Sequence, residues 1–225
     1  MRPPRVSDRL RFIASLVLPG ARLIDVGCDH ALLPIYYLLG DPEAKAVAID
    51  NKDGPLRVAA KNVSRWGLDD RLTLIRGDGI PSGLLQAGDC VVIAGLGGVE
   101  IGQILTQIES AAAMYVLSPH SRAEVLRETL SQLSLAIVAE TVKAEGGRTY
   151  LVMTVKPSVK SIMYSDDERW IGPHCLTQLD ADFGDAAFLL YMRRLKRHLS
   201  RVVRHDPTAA SPLARLEQYI GRIDA

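Results

Sequence analysis

Short apolar runs alternate with helix-periodic segments from Ser7 to Lys156, and that alternation predicts an α/β fold on a doubly wound parallel sheet. Two further observations sharpen the expectation. Turns bearing glycine and aspartate follow several of the runs, at the carboxyl ends where an open parallel sheet places its ligand. The last two runs are joined around Gly146-Gly147, so they are expected to pair antiparallel at an edge. The prediction is seven strands with an antiparallel edge strand, plus a small C-terminal helical region.

The elements follow in order. Ser7–Leu18 carries a helix pattern with Ser7 as N-cap and stops at Pro19-Gly20. Ala21–Val26 is the first strand, ending at Gly27. A helix over about Ala31–Leu39 tolerates Pro34 because it falls in the first turn. Ala44–Ile49 reads as the second strand, and Pro55–Trp66 as a helix closed by Gly67. Leu72–Ile75, Cys90–Ala94 and Met114–Leu117 are the next three strands. A helix near Val99–Glu109 is entered through Gly95-Leu-Gly-Gly, and Ser121–Leu133 is another helix. Leu135–Val142 and Arg148–Val155 complete the sheet. Pro157 to Pro173 has no period and reads as a linker. Two helices follow, about Asp182–Arg204 and Leu213–Ile223, separated by the breakers Asp206-Pro207 and Ser211-Pro212 and expected to form a hairpin.

The chain has 225 residues, room for one full core and a small appendage at about 150 residues per domain. With 48% hydrophobic and 24% charged residues it has enough apolar surface to fold rather than stay disordered. Its apolar runs are far shorter than the roughly 18 residues of a membrane span. Met1–Val6 lacks an apolar stretch, so no secretion signal is expected. Cys28, Cys90 and Cys175 are odd in number and widely spaced, which suggests neither a disulfide framework nor a zinc site. A reduced, cytoplasmic protein without a metal is the expectation. The net charge of +1 hides two basic segments. One holds Arg193, Arg194, Lys196, Arg197, Arg201 and Arg204; the other holds Arg2, Arg5, Arg9 and Arg11. They suit a polyanion, or they are solvated helix faces. Aromatic residues make up only 5%, so any RNA contact should rest on charge and shape rather than on rows of stacking rings.

Asp25-Val-Gly-Cys-Asp-His, at the end of the first strand, is the most informative segment. It lacks the dinucleotide pattern G-x-G-x-x-G, and Asp29 would repel a pyrophosphate. A cationic ligand reverses that objection. S-adenosyl-L-methionine carries a sulfonium and an ammonium, so carboxylates suit it. Asp25 and Gly27 lie in the first turn. Asp50, beside Asn51, follows the second strand at the position of a ribose-hydroxyl acceptor, and Asp78 and Gly79 follow the third, where a carboxylate can accept from an adenine amino group. Alternatively, these aspartates are caps and turn formers. Gly95, Gly97 and Gly98 are either a tight turn or backbone left open beside the methionine moiety. Cys28 reads as a small buried side chain and Cys90 as core. His30 is either structural or a partner of Asp29.

These residues resemble the bacterial tRNA (adenine-22-N1)-methyltransferases, class I S-adenosylmethionine-dependent enzymes. The resemblance rests on Asp25-Val-Gly-Cys-Asp-His-Ala-Leu-Leu-Pro, Asp53-Gly54-Pro55, Arg76-Gly-Asp-Gly, Ala94-Gly-Leu-Gly-Gly and the opening Ser7-Asp-Arg-Leu. It implies a Rossmann-like seven-stranded methyltransferase sheet, with residues 1–156 binding the cofactor and residues 157–225 forming the linker and tRNA-contacting hairpin. It implies methyl transfer to N1 of an adenine in tRNA, with Asp29 accepting the amino proton and His30 as its partner. Where the family carries Q-P-N, this chain has Ser118-Pro119-His120. Ser118 and His120 keep hydrogen-bonding capacity and are the expected substrate-facing pair. Arg9, Arg193, Arg194, Arg197 and Arg201 are the expected tRNA contacts. Methyl transfer to another base or a small molecule, or a cofactor-binding module without catalysis, are the alternatives.

Overall fold

The computed structural model describes residues 4–109, 112–181 and 184–224; Arg2 and the expected helix start at Asp182 lie outside them. Seven strands form one sheet: β1 (Leu23–Val26), β2 (Ala46–Asp50), β3 (Leu72–Arg76), β4 (Cys90–Ala94), β5 (Met114–Ser118), β6 (Leu135–Glu145) and β7 (Arg148–Pro157). Their order is β3-β2-β1-β4-β5-β7-β6. β1 to β5 run parallel, and β7 lies antiparallel between β5 and β6. The order reverses between β1 and β4, which opens a crevice at their carboxyl ends.

Local chemistry explains most element boundaries. In α1 (Asp8–Ser15) the Ser7 side chain accepts from the Leu10 N–H, as an N-cap does. α2 spans Leu32–Gly40 with Pro34 in its first turn. α3 (Asp53–Trp66) ends at Gly67, whose φ of 63° closes the helix in the left-handed region. α4 (Gly98–Thr106) and α5 (Ala123–Gln132) occupy the expected connections. β6 and β7 run longer than their apolar pattern suggested, up to a two-residue turn at Gly146 and Gly147 with φ of 55° and 73°. Both turn residues need positive φ, so the glycine pair sets the hairpin register.

The stretch expected to be a linker contains two helices, α6 (Asp166–Trp170) and the start of α7 (Pro173–Asp180). Five residues are too few to show a period. The sequence signal for α6 is its capping box, in which Ser165 caps the Glu168 N–H and Glu168 reaches back to the Ser165 N–H. α8 (Ala186–Val202) and α9 (Ala210–Asp224) form the expected hairpin, with a 3-10 turn at Pro207–Ala209 between them. Pro212 does not break a helix as expected. It lies in the first turn of α9, where its missing N–H has no partner to lose.

Apolar side chains fill both faces of the sheet. On one face a continuous buried cluster runs from Ile93, Leu117 and Met153 into Trp170, Phe188, Met192, Leu199 and Tyr219. The C-terminal helices therefore share a core with the sheet. Inside it, the fully buried Arg127 of α5 donates from Nε and Nη2 to Glu140 Oε1 of β6 at 3.0 and 2.9 Å. Its Nη atoms also donate to the carbonyls of Arg169, Trp170 and Ile171. A buried charge needs this saturation of its hydrogen bonds, and the fork fixes the α6–α7 turn to the sheet. Among the described residues, no helix is long and apolar enough to cross a membrane.

Candidate active site

The carboxyl ends of β1, β2 and β3, with the inner face of α4, enclose a cavity of about 500 Å³. Gly27, Asp29, Asp50, Asn51, Asp78 and Gly79 line it. A neighbouring cavity of about 270 Å³ shares Gly27, Asp29 and Leu96 with the first and adds Arg9, Asp25, His30 and Gly95. Asp29 thus stands at the junction.

The Asp50 carboxylate is held from both sides. Its Oδ2 accepts from the Asp29 N–H at 3.0 Å and its Oδ1 from the Lys52 N–H at 2.9 Å. Each oxygen keeps a lone pair for a ligand. Asn51 Nδ2 donates to Asp78 Oδ1 at 3.1 Å, which orients an otherwise exposed carboxylate. Asp25 is buried, and its carboxyl is pushed up to about 7 by burial first and by the Asp50 charge second. Burial likewise pushes the Cys28 thiol up, which keeps it inert as expected.

The first turn carries two left-handed residues that are not glycine, Asp29 (φ 51°) and Ala31 (φ 56°). Such conformations cost about 1 kcal/mol or more each and persist where neighbours enforce them. Here the enforcing contacts are the Asp29 N–H to Asp50 and the His30 carbonyl, which accepts from Asn62 Nδ2 at 3.0 Å. The turn presents the Asp29 carboxylate to solvent with His30 Nε2 3.5 Å from its Oδ1.

Arg9 departs from its expected role on a tRNA-facing surface. Its side chain is 16% exposed and reaches inward from α1. The guanidinium lies 4.6 Å from the Tyr150 ring centroid, its Nε lies 3.9 Å from Glu145 Oε2, and its backbone N–H donates to Glu145 Oε1. Nε and Nη1 are buried with no hydrogen-bond partner. Buried donors of this kind normally find an acceptor, and a ligand in the smaller cavity would be one.

The loops after β4 and β5 are zipped together. Gly95 N–H donates to the Ser118 carbonyl, His120 N–H to Leu96 and Gly98 N–H to Ser121, at 3.3, 2.9 and 2.7 Å. Gly95, at φ 112°, lines the smaller cavity; Gly97 and Gly98 line neither. A Cβ on Gly98 would overlap the Arg122 carbonyl, so close loop packing, and not ligand approach, requires glycine there. Ser118 also departs from expectation. β5 extends one residue further than its apolar run, which puts Ser118 in register with Ala94, fully buried, with its Oγ unpartnered and away from both cavities. His120 lines a third cleft instead, its ring 5.8 Å from that of Tyr150. Burial first, then Arg9, Arg148 and Arg194, holds His120 below the usual histidine value. α8 carries Arg193, Arg194, Arg197 and Arg201; only Arg194 and Arg201 line that cleft, while Arg193 pairs with Asp224 on α9.

Sequence reading missed Glu100, Gln103 and Gln107, which α4 supplies to the cofactor-sized cavity. No motif marks them, because a helix face enters the site only once the sheet is assembled. The chemistry of the lining fits S-adenosyl-L-methionine. Carboxylates surround the cavities, and the Arg9 guanidinium, with Nε and Nη1 free of hydrogen-bond partners, offers a place for an anion.

A methyltransferase-domain family profile matches residues 6–153. The tRNA (adenine(22)-N(1))-methyltransferase of Bacillus subtilis (strain 168) is 30% identical over 167 residues, 73% of this chain and 70% of the relative. The chain belongs to that family. A Streptococcus pneumoniae structure in complex with S-adenosyl-L-methionine matches 96% of this chain and 99% of its own at a TM-score of 0.80 and 26% identity. A structure from Listeria monocytogenes serotype 4b matches 98% of both chains at 0.78 and 26%. As a member of this methyltransferase family, the chain is an S-adenosylmethionine-dependent enzyme.

Proposed function

We propose that this chain methylates N1 of an adenine in tRNA, adenine 22 being the position named for its Bacillus subtilis relative. The observation that carries the reading is the ring of strand-end carboxylates around two joined cavities, with Asp29 at their junction. When bound, S-adenosyl-L-methionine supplies an electrophilic methyl group on its sulfonium.

Asp50 would accept from the ribose hydroxyls, its orientation already set by two backbone N–H groups. Asp78, steadied by Asn51, would accept from the adenine amino group. Asp25 suits the methionine ammonium, since a buried carboxylate gains most from a cation beside it. The open Nε and Nη1 donors of Arg9 point to different sides of the guanidinium, and either one suits a charge-assisted hydrogen bond to the methionine carboxylate. Gly27 and Gly95 leave backbone accessible beside both.

The target adenine attacks through the N1 lone pair, which needs no prior deprotonation. The methylated base is cationic, and Asp29 would stabilise it and accept a proton from its amino group, with His30 Nε2 placed to orient that carboxylate. Holding base and cofactor in line is the main catalytic resource. Drawing the base out of its stack costs a few kcal/mol, which contacts elsewhere on the RNA must offset. With a tRNA substrate the reaction would belong in the cytoplasm. Incubation with labelled cofactor and unmodified tRNA, followed by nucleoside mass spectrometry, should yield 1-methyladenosine. Transfer to a different base, or none, would overturn the reading.

A further inference from the structure

The basic run on α8 does not present one face. Arg194, His198 and Arg201, spaced by four and three residues, share a side with Tyr191 and Leu195 and line a cleft of about 250 Å³. Opposite them lie His120, Ser121 and Arg122 from the loop after β5, with Trp170 between. The single lining carboxylate, Glu124, is engaged by Arg122 Nε at 2.7 Å. Arg194 and Arg201 are exposed, and among the described residues the Arg201 guanidinium is engaged only through Nε, which donates to the Arg197 carbonyl at 3.3 Å. Arg193 points elsewhere and is paired with Asp224.

The cleft borders the cofactor site. His120 donates its N–H to the carbonyl of Leu96, a residue that lines both cofactor cavities, and its Cε1 lies 3.8 Å from where a Cβ on Gly95 would stand. The Trp170 side is also rigid. Arg127 holds the carbonyls of Arg169, Trp170 and Ile171, and Trp170 Nε1 donates to Thr208 Oγ1 at 3.1 Å. The buried Arg127–Glu140 pair, remote from the chemistry, therefore fixes one wall of a cationic cleft next to the methyl-transfer site. A fixed wall beside exposed arginines suits a sugar-phosphate better than an apolar ligand.

We propose that this cleft binds the RNA phosphodiester flanking the target nucleotide, with Arg194 and Arg201 as its phosphate contacts and Arg193 and Arg197 outside it. The inference rests on the tRNA reading above and narrows it from a basic helix to one face. It also sets the direction in which the strand leaves the site, from Asp29 past His120 toward α8.

The test compares two double variants that each remove two positive charges from the same helix, Arg194→Ala with Arg201→Ala and Arg193→Ala with Arg197→Ala. Fluorescence anisotropy with unmodified tRNA across a potassium chloride series reads affinity and salt slope. Each phosphate contact contributes roughly 0.7–0.9 to the slope of log K against log salt, so the cleft variant should lower it by about 1.5. The other variant should change it by well under half as much. Both should bind S-adenosyl-L-methionine like wild type in calorimetry, which certifies the fold. The cleft variant should also lose kcat/KM for tRNA. Equal slopes for the two variants, with wild type methylating tRNA in parallel, would overturn the cleft and leave the functional reading standing. Wild type that neither binds nor methylates tRNA would remove both.

Discussion

Replacing Arg9 with Ala separates a cofactor role from an RNA role in one measurement. The Arg9 side chain has two buried N–H groups without partners in the cavity that also holds Asp25. If one of them receives the methionine carboxylate, that bond is charge-assisted and worth about 1.5–3 kcal/mol. Removing the cation beside that carboxylate puts the working figure at the upper end, about 3 kcal/mol, or roughly a 100-fold loss in affinity. Calorimetry with S-adenosyl-L-methionine should show that loss. The same variant should bind 5′-methylthioadenosine like wild type, because that ligand keeps the ribose and adenine but has no amino-acid moiety. Arg9→Lys retains charge without the planar fork and should fall between the two. Loss of the contact with the Tyr150 ring costs stability by about 0.5–2 kcal/mol, which a thermal melt reports separately. Equal weakening of both ligands, or none for the cofactor, would refute the assignment.

Asp50→Ala should weaken S-adenosyl-L-methionine binding tenfold or more, at about 1.5–3 kcal/mol for a charge-assisted hydrogen bond, and unchanged calorimetry in a folded variant would defeat the ribose assignment. Asp29→Asn should keep cofactor affinity while slowing single-turnover methylation by about 10²–10⁴-fold; a wild-type rate would make the residue structural. Asp25 has a native value of about 7 against an ordinary 3.8, so folding favours its neutral form. Its contribution to stability is full below about pH 4 and is lost as pH rises through about 7. Asp25→Asn should flatten the ligand-free stability curve over that window, and in wild type cofactor affinity should rise across it as the carboxylate forms. Urea unfolding at pH 5 and pH 8 together with calorimetry checks both. Arg127→Met leaves Glu140 buried without its cation and should cost about 3–5 kcal/mol in urea denaturation, whereas a loss under 1 kcal/mol would mean that water or rearrangement replaces the guanidinium.

How much was legible follows from how local each signal is. Cys90–Ala94 reads as a strand because an unbroken apolar run fits a strand buried on both faces, and the structure places it at the centre of the sheet. Ser7 and Gly67 mark helix ends because capping is decided within a few residues. Gly27, Asp29, Asp50 and Asp78 converge because the carboxyl ends of parallel strands share one edge of the sheet. By contrast α6 is too short for a period, and its docking depends on a buried arginine 42 and 43 residues before the carbonyls it holds.

The amino-acid sequence alone determined the α/β class, the strand-end carboxylates and the preference for a cationic cofactor over a pyrophosphate. Those follow from periodicity, turn chemistry and charge, whose free energies act over a few neighbouring residues. The tertiary structure decided that Arg9 lines the cavity beside Asp25 and Asp29, that Ser118 is buried and that only Arg194 and Arg201 of the four singled-out α8 arginines line the cleft with His120. Each depends on which elements the sheet order brings together: Arg9 meets Glu145, 136 residues away, only because α1 packs against the β6–β7 hairpin. Such placement is set by burial over the whole assembled core, and no local pattern carries it.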